Sequence, residues 1–346
     1  MGRISGDDST FADVLSATQE VLQNPKEYLS VKAVTPEEGF ELRLPPPTAR
    51  PSKPFDFTIG SNLSAEQRDR ALHLLNSFHS IFATDITQCV RSCIYEAHLS
   101  VKENHQVRYI PQYRLSPPEL VHARNYVSEL EKCGVVRRNE GAIFNSPLFV
   151  LPKKRDKPTD PLKYRVILSL KAINASCLKR TNYALPKIPD LLATLGGNTC
   201  FSSFDLTSSY HQINLDEPSQ KLTNFTLEGI SYNFVKLPLG INSAVSLFSS
   251  IIAQVLSGLY YTEVFGWVDD LFCSKPTFDE MYDLLLRIFQ RFDHAHLYIN
   301  PQKSAFFMPS PLPLGPGVCR GGTKSLGCSA CEAPRGATRR PVCLAP

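Results

Sequence analysis

The sequence predicts an α+β fold built on a βαββαβ unit, an antiparallel sheet with both helices on one face. Three observations carry this. Between residues 199 and 300, strand and helix patterns follow in that order. The two helices among them show the chain's clearest apolar spacing of three and four. Two adjacent carboxylates, Asp269 and Asp270, interrupt an otherwise apolar hairpin pattern running from Phe265 to Phe272.

Taken in order, residues 1–61 lack a sustained period, and Pro45-Pro46-Pro47, Pro51 and Pro54 mark an extended connector. Ser64-Ala65-Glu66-Gln67 reads as a capping box, followed by an apolar face of Ala71, Leu74, Leu75, Phe78 and Phe82. The rest of 62–115 reads as irregular with short strands. Ser116-Pro117-Pro118-Glu119 opens a second helix through Leu120, Ala123, Val127 and Leu130, with Gly134 at its stop. Ser146 to Leu151 is a strand candidate, and residues 185–197 a short helix.

Thr199 to Leu206 reads as a strand containing Asp205. A helix opens at Ser243 and ends at Gly258. Val264 to Val268 and Leu271 to Cys273 then read as two strands, with Asp269 and Asp270 at the turn between them. Thr277-Phe278-Asp279-Glu280 caps the next helix, and Leu297 to Ile299 and Ser304 to Met308 are separate strand candidates. Residues 309–346 differ in kind: Pro and Gly supply about a third of them and no period survives, which predicts a disordered tail.

The chain has 346 residues, 42% of them hydrophobic, which supports a substantial core. The net charge of +4 permits an anionic partner without demanding one. It conceals one basic lobe. From Leu148 to Lys187 there are ten Lys or Arg against only Asp156 and Asp160. Such a lobe is either a solvated surface or a footprint for phosphates. Ten cysteines without a regular framework, no apolar leader and no run near 18 apolar residues predict a reduced intracellular protein with free thiols, neither secreted nor membrane-bound.

Taken alone, Asp269-Asp270 reads equally as a polar surface turn. In a βαββαβ sheet the strand ending at Asp205 adjoins the Asp269-Asp270 hairpin, which brings three carboxylates to one edge. Carboxylates so gathered can hold two divalent metals about 3.5–4 Å apart for phosphoryl transfer.

Beyond these physical readings, residues 86–308 resemble the reverse transcriptase of Ty3/gypsy-type long-terminal-repeat retrotransposons. The motifs are Tyr113-Arg114-Leu115-Ser116-Pro117, Asn145-Ser146-Pro147, Lys163-Tyr164-Arg165-Val166 through Ile173-Asn174, and Tyr183-Ala184-Leu185-Pro186. Phe204-Asp205-Leu206, Ser209-Tyr210-His211-Gln212-Ile213, Leu237-Pro238-Leu239-Gly240, Trp267-Val268-Asp269-Asp270 and Leu297 to Lys303 follow in order.

The resemblance implies the fingers and palm of a right-hand polymerase. Fingers with the basic lobe would span 116–198 and the palm 199–308, within a domain of about 100–308. It implies catalytic Asp205, Asp269 and Asp270 binding two Mg²⁺ (or Mn²⁺), with Lys303 as proton donor to the leaving pyrophosphate. Lys153, Lys154 and Arg165 would contact the triphosphate, Tyr210 would exclude a 2′-hydroxyl, and Leu239 and Gly240 would line the nucleotide pocket. Partners would be an RNA or DNA template with primer and deoxynucleoside triphosphates, in the cytoplasm or in virus-like particles.

Some positions depart from the family pattern. Trp267 replaces the usual Tyr, Ser169-Leu170-Lys171 replaces Asp-Tyr-Arg, and Val245 replaces Pro. The thumb and RNase H regions of a parent polyprotein are missing from the motifs, which predicts a fragment with a shifted frame after Met308. Two alternatives stand beside an active polymerase: an inactive, truncated relative that only binds nucleic acid, and a structural βαββαβ interaction module.

Overall fold

The computed structural model describes residues 55–104, 109–140, 144–152, 164–176, 178, 197–267 and 270–309, together with the strand Val31–Lys32. In chain order the strands begin with β1 (Val31–Lys32), β2 (Thr58–Ile59), β3 (Glu96–Ala97), β4 (Val136–Arg138), β5 (Leu148–Pro152) and β6 (Tyr164–Leu168). They continue with β7 (Cys200–Leu206), β8 (Asn214–Leu215), β9 (Phe225–Leu227), β10 (Ile230–Phe234), β11 (Val264–Trp267), β12 (Asp270–Lys275) and β13 (Ile299–Met308). The helices are α1 (Ala65–Ser77), α2 (Pro117–Lys132), α3 (Lys171–Ser176), α4 (Glu217–Gln220), α5 (Ala244–Val255) and α6 (Phe278–Ala295).

The central sheet has the order β11-β12-β7-β13-β2. Its first four strands are antiparallel neighbours. With α5 and α6 they trace the expected βαββαβ path, and the first and third strands of that path, β7 and β12, lie side by side. Helix α6 buries Met281, Leu284, Leu285, Ile288 and Phe292, the stripe its spacing predicted, together with Phe289. Each such side chain contributes about 1.5–3 kcal/mol by leaving water. Phe306 of β13 centres an aromatic cluster with Phe57, Phe82, Phe204 and Phe289.

The capping boxes form as read. Ser64 and Gln67 bond reciprocally, as do Ser116 and Glu119. Thr277 accepts from the Glu280 amide. Other elements differ from expectation. The fifth strand, β2, comes from the stretch read as a connector and pairs in parallel with Ala305 and Phe306. A two-residue strand is too short to show a period. Leu297–Ile299 and Ser304–Met308 were expected as separate strands, and instead one strand, β13, starts at Ile299 and runs on to Met308 with register shifts after Asn300 and Ala305. Strands β8, β9 and β10, between β7 and α5, were not anticipated. The expected helix at 185–197 lies outside the described residues except for Gly197.

Helix α2 packs on the β5–β6 ribbon and on β4. Strand β4 joins β10 and β9 in a separate three-stranded sheet, which ties this layer to the segment after β7. Among the described residues, Cys89, Cys93, Cys133, Cys200 and Cys273 are free thiols, and no helix is long and apolar enough to cross a membrane.

Candidate active site

The site starts from strand pairing. Asp270, the first residue of β12, is the register partner of Asp205 on β7. Residues directly opposite in an antiparallel pair point to the same face with Cβ atoms about 4.5–5.5 Å apart. On the other side of β7, Asn300 of β13 is also paired with Asp205. Strand β11 meets β12 through Trp267 opposite Asp270, so the turn between them is two residues, 268 and 269. Asp269 lies outside the described residues. The sequence placed both aspartates at the turn, whereas Asp270 belongs to the strand.

A break in β13 completes the centre. Asn300 pairs with Asp205 and the next pairing is Ala305 with Ser203, so residues 301–304 stand against Phe204 alone. Pro301 has no N–H to offer a ladder. The Asn300 side chain instead accepts from the Gln302 and Lys303 amides at 3.0 and 3.3 Å. Ser304 donates to the Asn300 carbonyl at 2.6 Å and accepts from the Asp205 amide at 3.3 Å. The excursion sets the Lys303 ammonium 3.2 Å from the Asp205 carboxylate, with Lys303 67% and Asp205 20% exposed.

Like charges placed directly opposite across a sheet repel unless positive charge stands with them. Lys303 supplies one such charge. Two carboxylates on one face are hard oxygen donors, the type that divalent cations take. The described part of the site therefore fits the expected Mg²⁺, with Asp269 as the remaining expected ligand. Among the described residues alone, no group of three ligating side chains forms.

Asp205, Lys303, Tyr210, Leu239 and Tyr126 line a cavity of about 370 Å³. Tyr210 is buried, with its ring 5.3 Å from that of Phe248. A second cavity, of about 640 Å³, includes Arg165, His122, His211 and Leu239. The two share Tyr126, Glu129, Leu130, His211 and Leu239 as walls. The structure thus brings Asp205, Asp270, Lys303, Tyr210 and Leu239 to one centre, with Arg165 in the adjoining cavity. Lys153 and Lys154 lie outside the described residues. His211 is neutral near pH 7, because burial pushes its imidazole down to about 4.

Residues that the sequence named without a role hold this centre in place. Leu239 is 60% exposed at the tip of a turn, and Gly240 next to it has φ +99°, a conformation L side chains rarely adopt. Asn174 donates to the Gly240 carbonyl at 2.7 Å and accepts from the Asn242 amide at 3.0 Å. Gln212 donates to the Thr207 and Tyr298 carbonyls at 2.7 and 2.9 Å and accepts from the Tyr298 amide at 2.7 Å. Their one signal in the sequence was a carboxamide inside an apolar motif.

The family model described as reverse transcriptase (RNA-dependent DNA polymerase) matches residues 151–330, running past β13 into a stretch outside the described residues. The chain is 30% identical over 236 residues to the retrovirus-related Pol polyprotein from transposon 412 of Drosophila melanogaster, covering 68% of this chain and 19% of that protein. It is 29% identical over 279 residues to the polyprotein from transposon gypsy of the same organism, covering 78% and 25%. The chain therefore spans about a quarter or less of the length of these relatives. A solved structure of the foamy viral protease-reverse transcriptase in complex with RNA/DNA hybrid superposes with a TM-score of 0.62 at 20% identity, covering 74% of this chain and 35% of that one. With the family model matching more than half of its length, the chain belongs to the reverse transcriptase family, in the lineage of Ty3/gypsy-type retrotransposon polyproteins.

Proposed function

We propose that this chain is an RNA-directed DNA polymerase domain that adds deoxynucleotides to a primer 3′ end on an RNA or DNA template. The observation that carries this reading is the register pairing of Asp205 with Asp270, with Lys303 held over Asp205. Asp205, Asp269 and Asp270 would hold two divalent cations, which supply Lewis-acid activation and charge neutralisation in phosphoryl transfer.

The protein's own groups do the rest. Lys303 would give a proton to the pyrophosphate oxygen as that oxygen leaves, a role its ammonium beside Asp205 supports. Arg165, with Lys153 and Lys154, offers N–H donors to the triphosphate. The Tyr210 ring forms a wall that a 2′-hydroxyl would strike. Leu239 lines both cavities, and with Gly240 it would border the nucleotide. The foamy viral protease-reverse transcriptase was solved in complex with RNA/DNA hybrid, which supports a nucleic-acid partner for this chain.

Primer extension on an RNA template with Mg²⁺ tests the reading, with Asp269→Asn as the comparison. Extension by the natural chain and its loss in the variant is the expected result. Failure of both proteins to extend, with RNA–DNA binding retained, would instead establish a relative that only binds nucleic acid.

A further inference from the structure

Lys236 is a buried cation that forms no ion pair with a carboxylate among the described residues. The residue is 9% exposed. Its ammonium donates to Asn214 Oδ1 at 2.6 Å and to Ser92 Oγ at 3.2 Å. An ammonium carries three N–H donors, so one remains. Among the described residues, the charges bearing on it are the Cys93 and Cys89 thiols rather than a carboxylate. Burial keeps both thiols neutral, pushing Cys93 up to about 11 and Cys89 up to about 12. Leaving an ammonium so placed without a counter-charge is costly.

Beside it lies a cavity of about 140 Å³ lined by Lys236, Arg91, Ser92, Cys89, Cys133 and Gly134, among others. Arg91 is paired with Asp293 at 2.7 Å, and the Asp85 and Glu129 carboxylates act on the Cys89 and Cys133 walls, so among the residues lining the cavity Lys236 is the cation without an ion-pair partner. One wall is the C-terminal end of α2, whose carbonyls carry roughly half a negative charge and offset only part of it. The Cys133 and Gly134 amides are already bonded to the Glu129 and Glu131 carbonyls. Donors for a ligand are therefore side chains: the third Lys236 proton, the remaining Arg91 protons and the Ser92 hydroxyl. At about 30 Å³ per water molecule, the space holds a handful of waters, or one small polyatomic ion.

We propose that this cavity binds a free tetrahedral oxyanion of the phosphate or sulfate class through Lys236, Arg91 and Ser92. The bound ion joins two segments distant in sequence, the 89–92 loop and the chain leaving β10, beside the turn after α2. Ile86 and His211 line both this cavity and the one containing Asp205, so the ion would sit one wall away from the carboxylate centre. Binding itself is independent of nucleotidyl transfer.

The test is thermal unfolding of the full chain in inorganic phosphate against chloride at matched ionic strength. Near-saturating phosphate should raise Tm by about 4 °C. Lys236→Met should abolish that rise. Phosphate also stabilises proteins without a site by exclusion from their surface, so an equal rise in the variant overturns the proposal, as does no rise in the natural chain. Should Lys236→Met fail to fold, crystals of the natural chain grown in selenate decide. Anomalous density within hydrogen-bond reach of Lys236 Nζ supports the site, and its absence there overturns it.

Discussion

Lys303 places its ammonium 3.2 Å from the Asp205 carboxylate because four residues of β13 stand against one of β7. Exposed pairs of this kind stabilise a protein by under about 1 kcal/mol. In the proposed reaction the pairing matters for chemistry more than for folding. Lys303→Ala should change the unfolding free energy by less than about 1 kcal/mol. It should cut single-turnover nucleotide addition by about 10²-fold, as loss of a general acid does. Rapid-quench kinetics, beside urea unfolding, separates the two effects.

Tyr210 lines the cavity with Asp205 and Lys303, and its ring packs on Phe248. Tyr210→Val should raise ribonucleotide incorporation relative to deoxynucleotide by about 10–100-fold, the range one steric wall commands. Tyr210→Phe keeps the ring and should keep the discrimination. The ratio of kcat/KM for the two sugars is the readout.

Gly266 sits in β11, one residue before Trp267. A Cβ at this position would stand 2.2 Å from the Tyr260 hydroxyl oxygen and 3.0 Å from its ring carbon. Tyr260 is itself buried and cannot swing into solvent. Gly266→Ala should therefore destabilise the chain by about 1–3 kcal/mol, the cost of overpacking a filled site. Pairing it with Tyr260→Phe removes the clashing oxygen and should recover part of the loss in urea unfolding.

His211 supplies a pH signature. Burial lowers its imidazole from the usual 6.5 to about 4 in the folded chain. The unfolded chain then binds the proton more readily between those values, so stability falls as pH drops from about 6.5 toward 4. The contribution is fully present above 6.5. His211→Gln should flatten unfolding midpoints across that window while leaving those of other groups in place.

Much of this was legible along the chain. The capping boxes at Ser64 and Ser116 and the stripe from Met281 to Phe292 depend on near neighbours, and they formed as read. The order of strands and helices from Cys200 to Met308 sufficed to place β7 beside β12, because a βαββαβ path with antiparallel pairing leaves few other arrangements. The motifs sufficed for the family.

Contacts across the fold were decided by tertiary structure alone. Nothing near Thr58 indicated that it would join β13 in parallel, since two residues carry no period. Nothing in Pro301-Gln302-Lys303-Ser304 showed that these residues would bulge over Asp205, since register is a property of the pair of strands. The carboxamides of Asn174 and Gln212 bond backbone groups 66 and 86 residues away, and Lys236 meets Ser92 across 144. The sequence by itself determined which chemical groups this chain carries and the order in which its elements are laid down. Tertiary structure decided which groups meet, because burial brings together partners that local pattern cannot relate, and hydrogen bonds then fix their distances.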